Sequence, residues 1–530
     1  MAKTRPYLFY DVVISICSTC YRRVDAKTIF QDGNVYLLKR CPEHGSERVL
    51  IADDIDYYRR CREIFIKPPE MPLVYNTPVK WGCPYDCGLC TDHEQHSCLT
   101  LVEICDYCNL RCPVCYASSG PERQQFRTLA QIEKMLDAVV RNEGHPDVVQ
   151  LSGGEPTVHP NFFEIVEMAK ARPIRHLMVN TNGVRIAQEE DFVQRLADYK
   201  EDFEVYLQFD SFEREPLLQL RGADLRRIRE DALEKLNRYN ISTNLVVTLK
   251  KGLNDHEIGK TIDYALQQPC VRGVTFQPIQ EAGRLDGFNP ATDRLTLTEV
   301  RRKILEQTAV FRAEDVIPVP CHPDSLAMAY ALKLNGKVTP LTSLIPPEVL
   351  INGAGNTILY EQEPAVRDGL FRLFATNHSP ESSAGTLREL LCCLPKVWIP
   401  NDPCGAGAPA RELLETTTER VGTDAACPEP SRRIRPAERS EAGPPPLSYE
   451  NIFRIIIMQF IDAHSFDLRS VKKTCVHIVH PDGRLIPFDT YNLFYRDELE
   501  HSRLLPLRQR SEAAMAPVQT SWVCPVEPSS

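Results

Sequence analysis

The sequence predicts an α/β fold: a partial (β/α)6 TIM-type barrel, flanked by a small N-terminal metal-binding β module and a C-terminal region with further cysteines. Three observations lead there. Between residues 101 and 310, strand-like and helix-like runs alternate as a parallel sheet with crossover helices requires. The conspicuous polar residues fall at the C-terminal ends of those strands, where barrels build their sites. Twelve of the 20 cysteines lie between Cys17 and Cys115, which points to several metal sites near the N-terminus.

Residues 1–75 are expected to form a zinc-ribbon or rubredoxin-like module. Cys17-Ser18-Thr19-Cys20 is a C-x2-C knuckle and Cys41-Pro42-Glu43-His44 a C-x2-H knuckle. Between them, Thr28-Ile29-Phe30 and Val35-Tyr36-Leu37-Leu38 flank Asp32-Gly33, a tight-turn pair that folds a hairpin and returns the second knuckle beside the first. Cys17, Cys20, Cys41 and His44 are therefore candidate ligands for one Fe or Zn ion. A thioredoxin-type redox pair would need a βαβ context that is missing. Cys61, in a charged helical stretch, is read as a bystander.

Residues 76–100 carry a second group, in which Cys83, Cys87 and Cys90 are spaced C-x3-C-x2-C. Cys98 is close enough to add a fourth thiolate and close an auxiliary [4Fe–4S] cluster. His93 and His96 are fallback ligands, otherwise expected to face solvent.

The barrel, residues 101–310, has candidate strands at 101–104, 148–151, 176–179, 205–209, 243–247 and 273–276, with helices at 129–141 and 161–171. Cys108, Cys112 and Cys115 follow the first strand. Three thiolates on one loop bind three irons of a [4Fe–4S] cluster and leave the fourth iron open, unlike ferredoxin runs in which every iron is capped. Structural zinc sites favour paired knuckles, which this triplet does not supply. Gly153-Gly154-Glu155-Pro156 follows the second strand, Asn180-Thr181-Asn182-Gly183 the third and Asp210-Ser211 the fourth. Each is also ordinary turn chemistry; the repeated placement at strand ends raises the functional reading.

Residues 311–404 and 447–507 form the expected C-terminal auxiliary and substrate region. Cys321, Cys393 and Cys475 have no local metal spacing, so buried thiols and ligands are equal readings from spacing alone. Residues 405–446, rich in Pro, Ala, Glu and Arg, read as a disordered insertion, and 508–530 as a tail. The apolar run 452–461 is too short to cross a bilayer and reads as a core element or the lining of an apolar channel.

The net charge of −10 and pI near 5.8 argue against a nucleic-acid partner. The N-terminus lacks the apolar stretch of a signal peptide, and no window of some eighteen apolar residues occurs. The expected location is cytoplasmic, with peripheral membrane contact, and the cysteines are expected reduced or metal-bound.

The triplet CNLRCPVC with SGGEPT resembles the radical S-adenosylmethionine (SAM) superfamily. That resemblance implies that the open iron chelates SAM, which a reduced cluster cleaves to a 5′-deoxyadenosyl radical. It also implies that Gly153, Gly154, Glu155 and Pro156 lie by the SAM amino group, and that Asn182, Asp210 and Ser211 serve the ribose and carboxylate. The knuckles CSTC and CPEHG, with GCPYDCGLCTDHEQHSC, VPCHPDSLAMAYAL and SVKKTCVHIVHPDGRLIPFDTYNLFYRD, extend the resemblance to the archaeal tetraether lipid synthase family, whose members were earlier described as pterin methylases.

This wider resemblance implies a SAM cluster on Cys108, Cys112 and Cys115, and an auxiliary cluster on Cys83, Cys87, Cys90 and Cys98. It further implies a second auxiliary cluster on Cys321, Cys393 and Cys475, and a mononuclear site, here with a C-x2-H knuckle that suits zinc. The implied reaction couples unactivated methyl termini of lipid chains, fed by a low-potential ferredoxin- or flavodoxin-type donor. That reaction predicts a long apolar tunnel to the barrel mouth. Radical C-methylation or modification of a pterin-type small molecule predicts a compact polar pocket. A non-catalytic iron–sulfur electron carrier would leave the open iron unused, and the GGEP segment argues against it.

Overall fold

The computed structural model describes residues 5–65, 70–334, 337–343 and 451–515. The insertion at 405–446 and Cys393 lie outside the described residues.

The N-terminal module is a four-stranded antiparallel sheet of β1 (Leu8–Ile16), β2 (Arg23–Gln31), β3 (Asn34–Cys41) and β4 (Gly45–Ala52), in that order. Gln31 pairs with Asn34 across a two-residue turn whose central residues, Asp32 and Gly33, have φ of 52° and 79°. Positive φ at both positions matches the right-handed twist of the strands, which is why Asp-Gly serves there. A helix, α1 (Ile55–Glu63), follows, with Asp54 capping its N-terminus.

The main sheet is built from β5 (Leu99–Cys105), β6 (Val148–Gly153), β7 (His176–Thr181), β8 (Phe203–Gln208), β9 (Thr243–Leu249) and β10 (Val271–Pro278), parallel and in sequence order. Helices such as α2 (Leu129–Glu143) and α3 (Phe162–Lys170) cross between strands. The C-terminal region then extends this sheet at both sides. Strand Ile452–Met458 lies parallel to β10, and Val476–Val479 lies parallel to β5. Leu326–Leu334 runs antiparallel along the former. Side chains from all eight parallel strands reach one cavity, so the sheet curls around it as a partial barrel.

Two apolar layers follow from this curl. One, with Leu136, Phe162, Val205 and Ile262, fills the space between the sheet and its outer helices; the other, with Leu101, Met178, Ile456 and Phe494, lies inside and beneath the curl. The apolar run at 452–461 is thus a barrel strand, all of Ile452–Met458 being buried. The tail expectation needs correction at its start. Leu505–Met515 is a helix, anchored where Arg508 donates to the Tyr85 carbonyl at 3.0 and 2.8 Å. Among the described residues no helix is long and apolar enough to cross a membrane.

The module is tied to the barrel by charge. Lys39 is buried, donating to the Ala463 and Ile16 carbonyls at 2.9 and 3.2 Å and pairing with Glu47 at 3.0 Å. His464 bridges Glu47 at 2.7 Å and Glu281 at 3.2 Å. Burial works to lower the His464 pKa, but the two carboxylates outweigh it and raise it from 6.5 to about 9. The folded protein then holds a proton that the unfolded chain releases, so this contribution is complete below about pH 6.5 and lost as pH rises through about 9. Thermal unfolding of the protein at about pH 6 and about pH 9.5 is expected to show a loss at the higher pH that His464→Gln abolishes.

Candidate active site

The loop after β5 carries the three cysteines. Cys108 and Cys112 are buried and Cys115 is half-buried. Backbone hydrogen bonds fix the loop: Cys115 and Arg284 exchange a pair at 3.0 and 2.9 Å, and the Arg284 guanidinium donates to the Cys112 and Ser119 carbonyls at 2.6 and 2.7 Å. At the end of β6, Gly154 and Glu155 donate to the Cys105 and Tyr107 carbonyls, each at 2.8 Å. A Cβ on Gly153 would stand 2.2 Å from the Cys105 oxygen, and one on Gly154 would stand 2.0 Å from the Tyr107 oxygen. The glycines thus serve first to let the β6 end close onto the cysteine loop.

Glu155 has a task different from that expected of it. Its carboxylate is buried and accepts from Thr157 N–H at 3.2 Å, from the Thr157 and Thr181 hydroxyls at 2.6 and 2.7 Å, and from Asn182 N–H at 2.8 Å. Burial raises its pKa, and these donors oppose the rise. The side chain locks the β6 end to the β7 end, leaving little acceptor capacity for a ligand. Asn182 donates to the Asn109 side chain at 2.7 Å, stands 3.9 Å from the Cys108 sulfur and lines the cavity. Pro156 starts a short 3₁₀ turn and is buried.

Asp210 and Ser211, expected to serve the ribose and carboxylate, are not among the residues that line the cavity, whereas Glu155 is. Asp210, at φ 63°, is fully buried and accepts from Arg221 at 2.7 and 2.6 Å and from Arg229 at 2.7 Å. Burial pushes its carboxyl up, but Arg221 and Arg229 hold it below the ordinary range. Ser211 donates to buried Glu257. What reaches the cavity is Arg221, which also donates to Gln208 and Thr248, each at 2.8 Å. Sequence reasoning missed Arg221, which sits at the end of a helix rather than of a strand.

The cavity, of about 170 Å³, lies between the three cysteines and the inner faces of the strands. One wall is polar: Gln150, Asn180, Gln208 and Gln277. Gln208 donates to Asn180 at 2.8 Å and Gln277 to the Tyr206 hydroxyl at 3.0 Å. The apolar part of the lining is Leu99, Leu101, Met458, Phe460, Val476 and Phe488, with the two phenyl rings stacked at 4.0 Å; it adjoins the polar part, Leu101 pairing with Gln150 across strands and Gln277 donating to the Met458 sulfur at 3.7 Å. The alternation of these side chains along each strand was the signal available in the sequence.

Two further groups gather metal ligands, each with its atoms within 4.8 Å of one another. Cys17, Cys20, Cys41 and His44 form the first; Cys20 and Cys41 are 3.8 Å apart, and His44 Nδ1 stands 3.6 and 3.5 Å from Cys17 and Cys41. Four ligands about 2.3 Å from one tetrahedral ion stand about 3.8 Å apart, so this donor set fits a single Zn or Fe. The second group is Cys98, Cys321 and Cys475. This regroups Cys98, which was expected to join Cys83, Cys87 and Cys90. Leu99 pairs with Val476 in parallel strands, and Leu99 N–H donates to the Cys475 carbonyl at 3.1 Å, so the preceding cysteines are brought together.

Cys83 and Cys87 remain 4.0 Å apart on their own loop, with Cys90 following. Of the histidines expected to face solvent, His93 is buried and His96 half-buried, with its Nε2 3.5 Å from the Cys98 sulfur. His93 lies 2.9 Å from the Thr474 carbonyl, and His96 Nδ1 meets Glu143 at 2.9 Å. The three-sulfur loops at Cys108–Cys115 and Cys83–Cys90 suit iron–sulfur clusters by their chemistry, being thiolates in dry surroundings.

Residues 102–265 match the family described as the radical SAM superfamily, and residues 9–53 the HMPTM N-terminal zinc ribbon domain. The chain is similar, at 28% identity over 94% of its length and 96% of the relative, to a 7,8-dihydro-6-hydroxymethylpterin dimethyltransferase of Methanocaldococcus jannaschii. It is 26% identical, over 44% of its length and 68% of the relative, to a GTP 3′,8-cyclase of Alkaliphilus oremlandii. Among solved structures, Streptococcus suis SuiB bound to S-adenosylmethionine aligns at 17% identity and TM-score 0.33, over 39% of this chain and 46% of that one. The chain carries a radical SAM domain and is an enzyme; the family implies a [4Fe–4S] cluster and SAM.

Gly154→Ala is expected to push the cysteine loop away, lowering SAM-cleaving activity at least tenfold and iron content per chain, with a stability loss of about 1–3 kcal/mol. Anaerobic iron analysis and 5′-deoxyadenosine release check this. Cys41→Ala is expected to remove one metal ion per chain and lower the melting temperature while the absorbance of the iron–sulfur clusters persists.

Proposed function

We propose that this radical SAM enzyme joins unactivated methyl termini of lipid chains into a longer, membrane-spanning lipid. When bound, a [4Fe–4S] cluster on Cys108, Cys112 and Cys115 supplies the electron that cleaves SAM to methionine and a 5′-deoxyadenosyl radical. Gly153, Gly154 and Asn182 lie where the cofactor would meet the cysteine loop, and Arg221, oriented by Asp210, offers a cation beside Cys112 for a carboxylate.

The cavity, at about 170 Å³ and part-polar, is not the long apolar tunnel this reaction was expected to show; what supports the lipid reading is the apolar part of its lining. A primary carbon radical takes hydrogen from almost any C–H donor and survives only where stray donors and water are excluded. Leu99, Leu101, Met458, Phe460, Val476 and Phe488 give such a surface, and nothing in it would hydrogen-bond a substrate. A terminal methyl held there can be positioned only by shape and dispersion, which is the task such residues perform. Leu99 and Val476 also adjoin Cys98 and Cys475, so the same wall joins the SAM-side loop to the second metal-ligand group. The balance requires two SAM cleavages per bond: each removes one hydrogen atom, the two carbons join, and a low-potential donor of ferredoxin or flavodoxin type supplies one electron per cleavage.

A second reading, radical C-methylation or modification of a pterin-type small molecule, is favoured by the polar part of the lining. Gln150, Asn180, Gln208 and Gln277 present donors and acceptors suited to the polar edge of a heterocycle. The name of the Methanocaldococcus jannaschii relative, a pterin dimethyltransferase, agrees with that chemistry.

Reconstituted protein with SAM, dithionite and a diether lipid extract is expected to yield a joined lipid two hydrogens lighter than its two precursors, with two 5′-deoxyadenosines per new bond. Mass spectrometry reads both. Unchanged lipids, with methylation of an added 6-hydroxymethyl-dihydropterin, would transfer the assignment to the second reading. Phe460→Gln, which wets the apolar wall, is expected to raise uncoupled 5′-deoxyadenosine release about tenfold relative to product.

A further inference from the structure

We infer that the open face of the N-terminal sheet is a docking surface for an anionic lipid bilayer. One face of β1–β4 packs on the barrel and buries Val13, Ala26, Leu37 and Val49. The other carries large apolar side chains that nothing covers among the described residues: Val12 is 58% exposed and Ile14 45%, with Phe9 at 42% further along the same strand, its partner Ile29 being in the same alternation as Lys27. An amphipathic sheet would carry polar residues at such positions, and three exposed large hydrophobics on one face of a nine-residue strand form a patch that calls for a partner.

The strand register sets cations beside them on the same face. Lys27 pairs with Val12, and Leu38 and Arg48 continue that row across β3 and β4. Arg23 and Arg40 lie one row along, with Asp25 as the acid among them. Among the described residues neither Lys27 nor Arg40 is held in an ion pair, and Arg48 lies over the Tyr36 ring at 4.2 Å. The groove here is lined by five cations, Arg23, Lys27, Lys39, Arg40 and Arg48, against two acids, Asp25 and Glu47, on a chain whose net charge is −10. That asymmetry would turn this face, and not the acidic remainder, toward a negative surface.

Bilayer headgroups fit both halves of the pattern. Anionic phosphates attract Arg and Lys side chains, and exposed Val, Ile and Phe side chains enter the headgroup–acyl boundary. An acidic electron-carrier protein would meet the cations but has less use for an apolar row at their edge. The choice of a bilayer rests on the lipid reading above; its test does not.

The test is sedimentation of the full chain, loaded with its metals, with vesicles of phosphatidylcholine alone and of phosphatidylcholine mixed with phosphatidylglycerol. The expected result is binding to the mixed vesicles that falls with salt and is weak on the neutral ones. Arg40→Glu with Lys27→Glu is expected to weaken it by about a hundredfold, and Ile14→Asp with Val12→Asp by at least tenfold. Unchanged metal content and 5′-deoxyadenosine release in the variants show that they are folded. Absence of vesicle binding, equal binding to both vesicle types, or variants that bind like the parent overturns the proposal. So does loss, in the charge variants, of reduction by a flavodoxin with vesicle binding intact, which assigns the face to a protein. Lipid coupling in detergent without vesicle binding refutes the docking surface alone; vesicle binding without any lipid product refutes the substrate reading alone.

Discussion

Strand β5 is the constraint on which the two ends of the site depend. Its first residue pairs with Val476, and that pairing brings Cys98 beside Cys475. Its last residue, Cys105, accepts from Gly154 N–H and so sets the start of the loop carrying Cys108, Cys112 and Cys115. All seven of its residues are buried, so it cannot shift without exposing apolar surface on both faces. A buried parallel strand thus acts as a fixed spacer between two groups of metal ligands, with the cavity's apolar wall along it.

Buried charge is placed around this spacer in matched pairs. Glu103, on β5, holds Arg496 through two bonds at 2.8 and 3.1 Å, and Arg294 pairs with Asp462 at 2.9 Å. Asp210 restrains both Arg221 and Arg229. Removing one member of such a pair leaves an uncompensated charge in a dry place, at a cost of about 3–5 kcal/mol, although the intact pair adds little net stability. Their evident value here is geometric: each arginine fixes a loop or a cavity-facing donor in one place.

Much of this was legible in the sequence because it is local. The Asp32-Gly33 turn, the knuckles and the six strand ends each depend on neighbours within a few residues, and the runs at 148–151 and 243–247 read directly as strands. What was not legible is non-local. Val476–Val479 is a four-residue strand, too short to signal itself, yet it decides where Cys98 goes. Asp210 and Ser211 sit at a strand end as a ligand-binding residue would, but their side chains are drawn inward by Arg221 and Glu257, which lie in other elements. Glu155 likewise spends its acceptor capacity on Thr181 and Asn182, a demand that appears only when β6 and β7 lie side by side.

The placement of the late parallel strands on either side of the six earlier ones bears on how the protein is made. Ile452–Met458 and Val476–Val479 flank a sheet whose six earlier strands are contiguous from residue 99 to 278. During synthesis those six can pair in order as they emerge, while the inner face stays uncovered until the final strands arrive. Cys98 waits as long, since its partner cysteines follow more than two hundred residues later. That ligand group is therefore complete only once Cys475 has been made, and the half-lined apolar barrel is exposed to aggregation in the interval.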